Sequence, residues 1–251
     1  TWRLAQQDRE TVHATAWGPG AQEFIEQLPV FLGVDEDTSD FAPTHPLIAE
    51  AHRRFPGLRM VRTGQIFDEL APAILEQKVH GIAAKESWRI LLRKFGELAP
   101  GPRPLTISPS AQAWRRVPSW EFHRANVDPK RASTIVGAAQ RAESLDRLIR
   151  LPNDEAQQRM QSLPGIGVWT AAEVAQRALG DGDAVSVGDF HLAAMVGWTL
   201  AGRPFDDAEM VEYLEPLRPH RYRAIRLLLV AGFAHKPKFG PRTEVTDHRH
   251  R

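Results

Sequence analysis

The 251-residue chain has no cysteine and only two tyrosines. Without Cys it can build no disulfide framework, no thiolate-bound zinc site and no cysteine-held iron–sulfur cluster. It also lacks an apolar run near the ~20 residues that span a bilayer, and it lacks the basic-then-apolar opening of a secretory signal. Charge of one sign is not in large excess: 32 Lys and Arg stand against 31 Asp and Glu, a formal net of +1. What is present describes an ordinary globular chain, 42% hydrophobic and 25% charged, long enough for one large core or two modest ones. The near-neutral total hides an asymmetry. Residues 1–60 hold 5 basic and 9 acidic side chains, a net of −4, whereas residues 61–251 hold 27 against 22, a net of +5. The ten His residues show no metal-ligand spacing, and His248 and His250 fall in a tail expected to be mobile.

The chain opens with Thr1 rather than Met, so a fragment is an open reading and the N-terminal region is read loosely. Residues 11–17 alternate as a strand does and run into the turn Gly18-Pro19-Gly20, and Ala21 to Leu28 has helical spacing. An α+β element is therefore expected first. From about Gly64 the pattern is helical: Ile66, Leu70, Ile74, Leu75, Val79, Ile82, Ala83, Ile90 and Leu91 recur at three- and four-residue intervals, interrupted at Pro72 and Gly81. After a Pro-rich loop at 99–109, further helices are expected at about 110–117, 130–145, 153–162, 168–179, 189–200, 207–215 and 219–233.

Leu163-Pro164-Gly165-Ile166-Gly167 lies between two of these helices. Two glycines around one aliphatic residue permit a tight reversal with positive φ, while Ile166 plugs the hairpin from inside. Amides with no Cβ in the way, at the start of the next helix, form an anion cradle suited to a phosphate. For Gly-x-Gly alone, a plain helix–turn–helix connection is the preferred reading. Downstream, Gly188-Asp189 precedes a helical run. There Asp189 reads either as a helix cap or as a functional carboxylate.

The hairpin, its continuation Val168-Trp169-Thr170-Ala171-Ala172-Glu173 and the segment from Asp183 to Leu192 together resemble the HhH-GPD superfamily of DNA glycosylases. The resemblance takes in Ala73 to Val79, the segment Val127-Asp128-Pro129-Lys130-Arg131-Ala132, and Leu217 to Ala224. It covers nearly everything from Gly64 to Phe233, and 3-methyladenine DNA glycosylase II, or AlkA, is the most similar type. It implies a mainly α fold in which two helical subdomains flank an active-site cleft, after a small, shortened N-terminal α+β domain. The expected division is 1–62 for that α+β segment, 63–235 for the helical glycosylase domain and 236–251 for a C-terminal tail. The implied partner is duplex DNA with a damaged base, bound by a monomer in the bacterial cytoplasm, at the nucleoid. No metal or other cofactor is expected except K⁺ or Na⁺ on the hairpin main chain when DNA is bound.

The resemblance also assigns roles. Asp189 is implied as the carboxylate that stabilises oxocarbenium character on the sugar or activates water. Lyase relatives carry a Lys where this chain has Trp169, so base release by water, with no strand cleavage, is implied. Trp169 is a candidate wall for a cationic alkylated purine, with a core role as the alternative. Gln77, Trp120, His123 and Glu173 are further pocket candidates. Leu163, Pro164, Gly165, Ile166, Gly167, Val168, Thr170, Lys78 and Arg131 are candidates for DNA contact. Glu173, Lys78 and Leu229 depart from the family pattern: an aromatic is expected at 173 and at 229, and an aliphatic wedge at 78. Two alternatives remain at this level, a damage-sensing module without turnover and a glycosylase for another lesion class.

Overall fold

In the computed structural model, residues 1–8 and 10–235 are described, together with 247 and 249. The expected tail at 236–251 lies otherwise outside the described residues. The chain begins with an antiparallel pair, β1 (Trp2–Gln6) and β2 (Val12–Ala16), in register from Trp2 opposite Ala16 to Gln6 opposite Val12. Gly18 and Gly20, both at positive φ, turn the chain into α1 (Ala21–Phe31). Trp2, Phe24 and Phe31 meet with ring centroids 5.4–5.5 Å apart, but no residue of α1 is fully buried. A two-stranded hairpin is marginal by itself, and α1 brings it no fully buried side chain. They lean on the rest of the chain, where Trp17 lies over Gly101 and Arg62 N–H donates to Phe31 O at 2.9 Å.

The helices form two cores. The first gathers α3 (Ile66–Glu76), α4 (Gly81–Phe95), α5 (Ala111–Trp114), α6 (Ser119–Arg124), α7 (Pro129–Ala139), α8 (Ala142–Asp146), α9 (Asn153–Gln161) and α10 (Val168–Val174) around Leu70, Ile74, Ile135 and Met160. The second gathers α2 (Pro46–Arg54), α11 (Leu192–Ala201), α12 (Asp207–Leu214) and α13 (Arg221–Val230) around Ile48, Val196, Met210 and Leu227. This corrects the expected boundary at 62. Phe41, Ile48 and Ala51 belong to the same core as the last three helices, so the α+β unit ends near Phe31 and the next segment serves the second helical body. Arg223 ties the two stretches: fully buried, it ion-pairs with Glu36 and donates to Leu58 O at 2.8 Å.

Several helix ends differ from the periodic reading. Pro72 does not interrupt α3, and the break falls at 77–80, where Lys78 takes a left-handed φ of 55°. The helix expected over 130–145 is two, α7 and α8, and α11 starts at Leu192 rather than at 189. The stretch expected as a loop at 99–109 contains a two-residue strand, β4 (Thr106–Ile107), which pairs with β3 (Glu97–Leu98). Asp128 caps α7 through the amides of Lys130 and Arg131, with Pro129 in the first turn, and Asp206 with Glu209 forms a capping box on α12.

Candidate active site

The hairpin joins α9 to α10, closed by Ile166 N–H donating to Leu163 O at 3.0 Å. Ile166 is buried and plugs the turn, as its position between glycines requires. The two glycines do different work. Gly165 has φ 89°, and a Cβ there would sit 2.3 Å from Thr134 Oγ1 on α7; Gly167 has φ −102°, and a Cβ would meet nothing within 4 Å. The positive φ of the reversal thus falls on Gly165, which lets the hairpin touch α7, while Gly167 leaves the start of α10 open. The first amides of α10 have no intrahelical acceptor by position. Pro164, Gly167 and Val168 are exposed, whereas Leu163 packs partly against the first core.

Gln77 closes α3 and braces the hairpin: its Nε2 donates to Gly165 O and to Thr170 Oγ1, each at 2.9 Å. Thr170 is buried, so its side chain serves this brace and is not a DNA contact. Lys78 follows at the tip of the turn, exposed. Arg131 is a further correction. It is 4% exposed, paired with Asp128 at 2.5 Å and donating to Leu75 O at 2.7 Å, so it locks α7 to the end of α3 and cannot reach a phosphate. Nor are Trp120 and His123 brought to the hairpin. Between them Glu121 ion-pairs with Lys94, at the end of α4 remote from Gln77, and His123 Nε2 lies 3.2 Å from Arg249 O.

Asp189 and Trp169 do meet. Gly188, at φ 89°, turns the chain, and Asp189 Oδ1 accepts from the amides of His191 and Leu192 at 2.8 and 2.9 Å. Its other oxygen, Oδ2, lies 3.4 Å from Trp169 Nε1. One oxygen thus holds the start of α11, and the other accepts from the Trp169 indole. The group is part-exposed, and its neighbour Phe190 is 89% exposed. An open groove of about 630 Å³ bounded by His45, Arg203, Phe205 and Tyr213, and a cavity of about 100 Å³ beside Met60 and Gly180, are lined by other residues.

No family model matches the chain. Over 166 residues it is 22% identical to a DNA-3-methyladenine glycosylase of Bacillus subtilis, covering 63% of this chain and 55% of that protein; it thus spans about half the length of this relative. Among solved structures, a 3-methyladenine DNA glycosylase from Archaeoglobus fulgidus matches with a TM-score of 0.72 at 20% identity, over 92% of this chain and 82% of that one. The 8-oxoguanine glycosylase/lyase of Clostridium acetobutylicum, in complex with double-stranded DNA, matches at 0.69 and 15% identity, over 92% and 87%. The chain has the helix-hairpin-helix DNA glycosylase fold.

Within this glycosylase fold the seam between the helical bodies is polar. Glu173, one turn beyond Trp169, pairs with Arg177 at 2.8 Å and accepts from Ser186 Oγ at 2.5 Å. Burial raises the carboxyl of Glu76 above the ordinary carboxylate range, opposed by Arg177 and reinforced by Glu173. Burial likewise raises Glu69 and the Tyr222 phenol. Arg177 keeps its charge more firmly than usual: burial works against it, but Glu173, Glu76 and Glu69 outweigh that. Leu229 is half-exposed near the end of α13. Sequence reasoning missed Gln176, Ser186, Arg177, Tyr222 and the clamp in which Asp183 takes Arg221 at 2.7 Å and Arg218 at 2.9 Å. Their partners lie from 4 to more than 100 residues away, and no local pattern marks them. Among the described residues no group of three or more His, Asp or Glu stands ready for a metal, and no helix is long and apolar enough to cross a membrane.

Proposed function

We propose that the protein is a base-excision repair glycosylase that acts as a monomer and hydrolyses the N-glycosidic bond of alkylated purines in duplex DNA. The observation that carries the reading is the Trp169–Asp189 contact beside a hairpin whose second glycine is open. Fully stacked in duplex, a base cannot reach these groups, so the target nucleotide must leave the stack. The hairpin amides would hold a phosphate, and Lys78, from its exposed turn, would fill space with its stem while its ammonium meets the backbone. Trp169 supplies a π face for a purine made cationic by methylation. Asp189 Oδ2 then offers negative charge to a sugar that turns positive as the bond stretches, or draws a proton from the attacking water. Leu163 O and Gly165 O accept from Ile166 N–H and Gln77 Nε2. Each keeps a second lone pair, so this donor set fits K⁺ or Na⁺, which would add only charge towards the phosphate.

No amine stands at position 169 to form a Schiff base, which supports base release without strand cleavage. The test is incubation with duplex carrying 3-methyladenine or 7-methylguanine. Free base should appear, and the strand should break only after heat or alkali. Release of 8-oxoguanine alone would overturn the lesion class; strand cleavage without treatment would overturn the hydrolytic mechanism; binding with no release from any duplex would favour a damage sensor.

A further inference from the structure

Glu173 stands where a pocket-lining side chain is expected, yet both of its carboxylate oxygens are engaged. Oε1 accepts from Ser186 Oγ at 2.5 Å, and Oε2 faces Arg177 Nη2 at 2.8 Å. Ser186 is buried and receives a second contact, from Gln176 Nε2 at 2.8 Å; the same amide also donates to Ala184 O at 2.9 Å. The direction of this chain is fixed by chemistry. An amide nitrogen only donates and an ionised carboxylate only accepts, so the serine hydroxyl between them must accept from Gln176 and give its one hydrogen to Glu173. Gln176 is itself buried, so the network is satisfied where an unpaired group would be costly.

What the network holds is a turn. Asp189 N–H donates to Ser186 O at 3.2 Å, and Gly188 takes φ 89° at the third of the four positions. Ser186 is therefore the first residue of a closed four-residue turn and Asp189 the last. Pinning the first fixes the last. The pin comes from α10 and its continuation, the same element that presents Trp169 to Asp189 and begins at the hairpin. Contacts at 169 and 173 are one helical turn apart, about 6 Å along the axis, so the turn is held at two points by one rod.

We propose that Gln176, Ser186 and Glu173 are positioning residues that set the Asp189 carboxylate, and that Glu173 acts through Ser186 rather than by reading the charge of the base. The inference rests on the glycosylase reading above. On that basis a phosphate docked at the hairpin and the carboxylate at the sugar are referred to one helix.

The test separates a needed acceptor from a needed charge. Glu173→Gln keeps one oxygen for the Ser186 hydroxyl while giving up the charge and the Arg177 pair, whereas Glu173→Leu and Ser186→Ala break the chain. Single-turnover base release from N-methylated purine duplex is expected to fall about 100-fold in Ser186→Ala and Glu173→Leu, with duplex Kd unchanged, because a carboxylate displaced by about 1 Å costs that much. Glu173→Gln should stay within about 3-fold of wild type, and Ser186→Ala with Glu173→Leu should lose no more than either alone. A fall in Glu173→Gln as deep as in Glu173→Leu would overturn the proposal in favour of charge reading. So would full activity in Ser186→Ala. The Trp169 indole N–H resonance, assigned by its loss in Trp169→Phe, provides a readout independent of turnover. It should move in Ser186→Ala and Glu173→Leu, as in Asp189→Ala, and stay in Glu173→Gln. If the wild type released no base, the glycosylase reading would fail while this resonance still decided the network. An unmoved resonance in Ser186→Ala would sink the positioning role.

Discussion

The hairpin at 163–167 and the loop at 181–189 are both glycine-containing joints beside the same helix, and they are held by opposite kinds of force. The hairpin is fixed by shape: Ile166 fills it, and Gly165 presses on Thr134 with no room for a Cβ. The loop is fixed by charge and hydrogen bonds: Asp183 takes Arg221 and Arg218, and Ser186 sits between Gln176 and Glu173. The element proposed to meet a phosphate thus depends on packing, and the carboxylate proposed to face the sugar depends on a polar lattice. The two should fail in different ways.

The largest effect is expected on the loop side. Asp183→Ala leaves the nearly buried Arg221 without its bidentate partner and should destabilise the fold by about 3 kcal/mol in urea unfolding. Next comes the hairpin. Gly165→Ala combines a left-handed φ with a collision at Thr134 and should cost about 2 kcal/mol or more, while Gly167→Ala should change stability by less than about 0.5 kcal/mol. Gly167→Ala should nevertheless weaken DNA binding, since its Cβ would stand where backbone meets phosphate; equal binding by both proteins would remove the phosphate role from Gly167. Lys78→Gly relieves a left-handed lysine and should raise stability by about 1 kcal/mol while lowering affinity for lesion duplex. The smallest effect is one of pH. The Glu76 carboxyl is raised in the folded state by burial, so its ionisation weighs against folding once pH rises above the unfolded value. The stability of Glu76→Gln relative to wild type should therefore grow as pH rises through that window and then level off; a difference that shrank with pH would reverse the assignment.

The same contrast explains what could be read from the residues alone. A steric joint is written locally: Gly-Ile-Gly between two periodic segments gives the hairpin, and a glycine before an aspartate at a helix start gives Asp189. The polar lattice is not written locally. Gln176 sits among alanines, Ser186 between valines, and only the fold sets them 2.8 Å apart. Arg131 shows the same limit from the other side. Its place after Asp128-Pro129-Lys130 suits either an outward phosphate contact or an inward lock, and Leu75 O, 56 residues earlier, selects the lock. The two-body division was legible as a helical domain, but the share of the N-terminal segment in the second body was not, since Ile48 and Ala51 find their partners in helices that begin after residue 190.

The central claim is that one carboxylate oxygen, freed from capping duty, faces the sugar of a nucleotide that has left the stack. It is tested most directly by single-turnover release of 7-methylguanine from duplex by Asp189→Asn, in which the side-chain oxygen can still cap α11 but the charge is gone. The account predicts a loss of about 100-fold or more at unchanged thermal stability and duplex affinity. A variant that released base at the wild-type rate would contradict it.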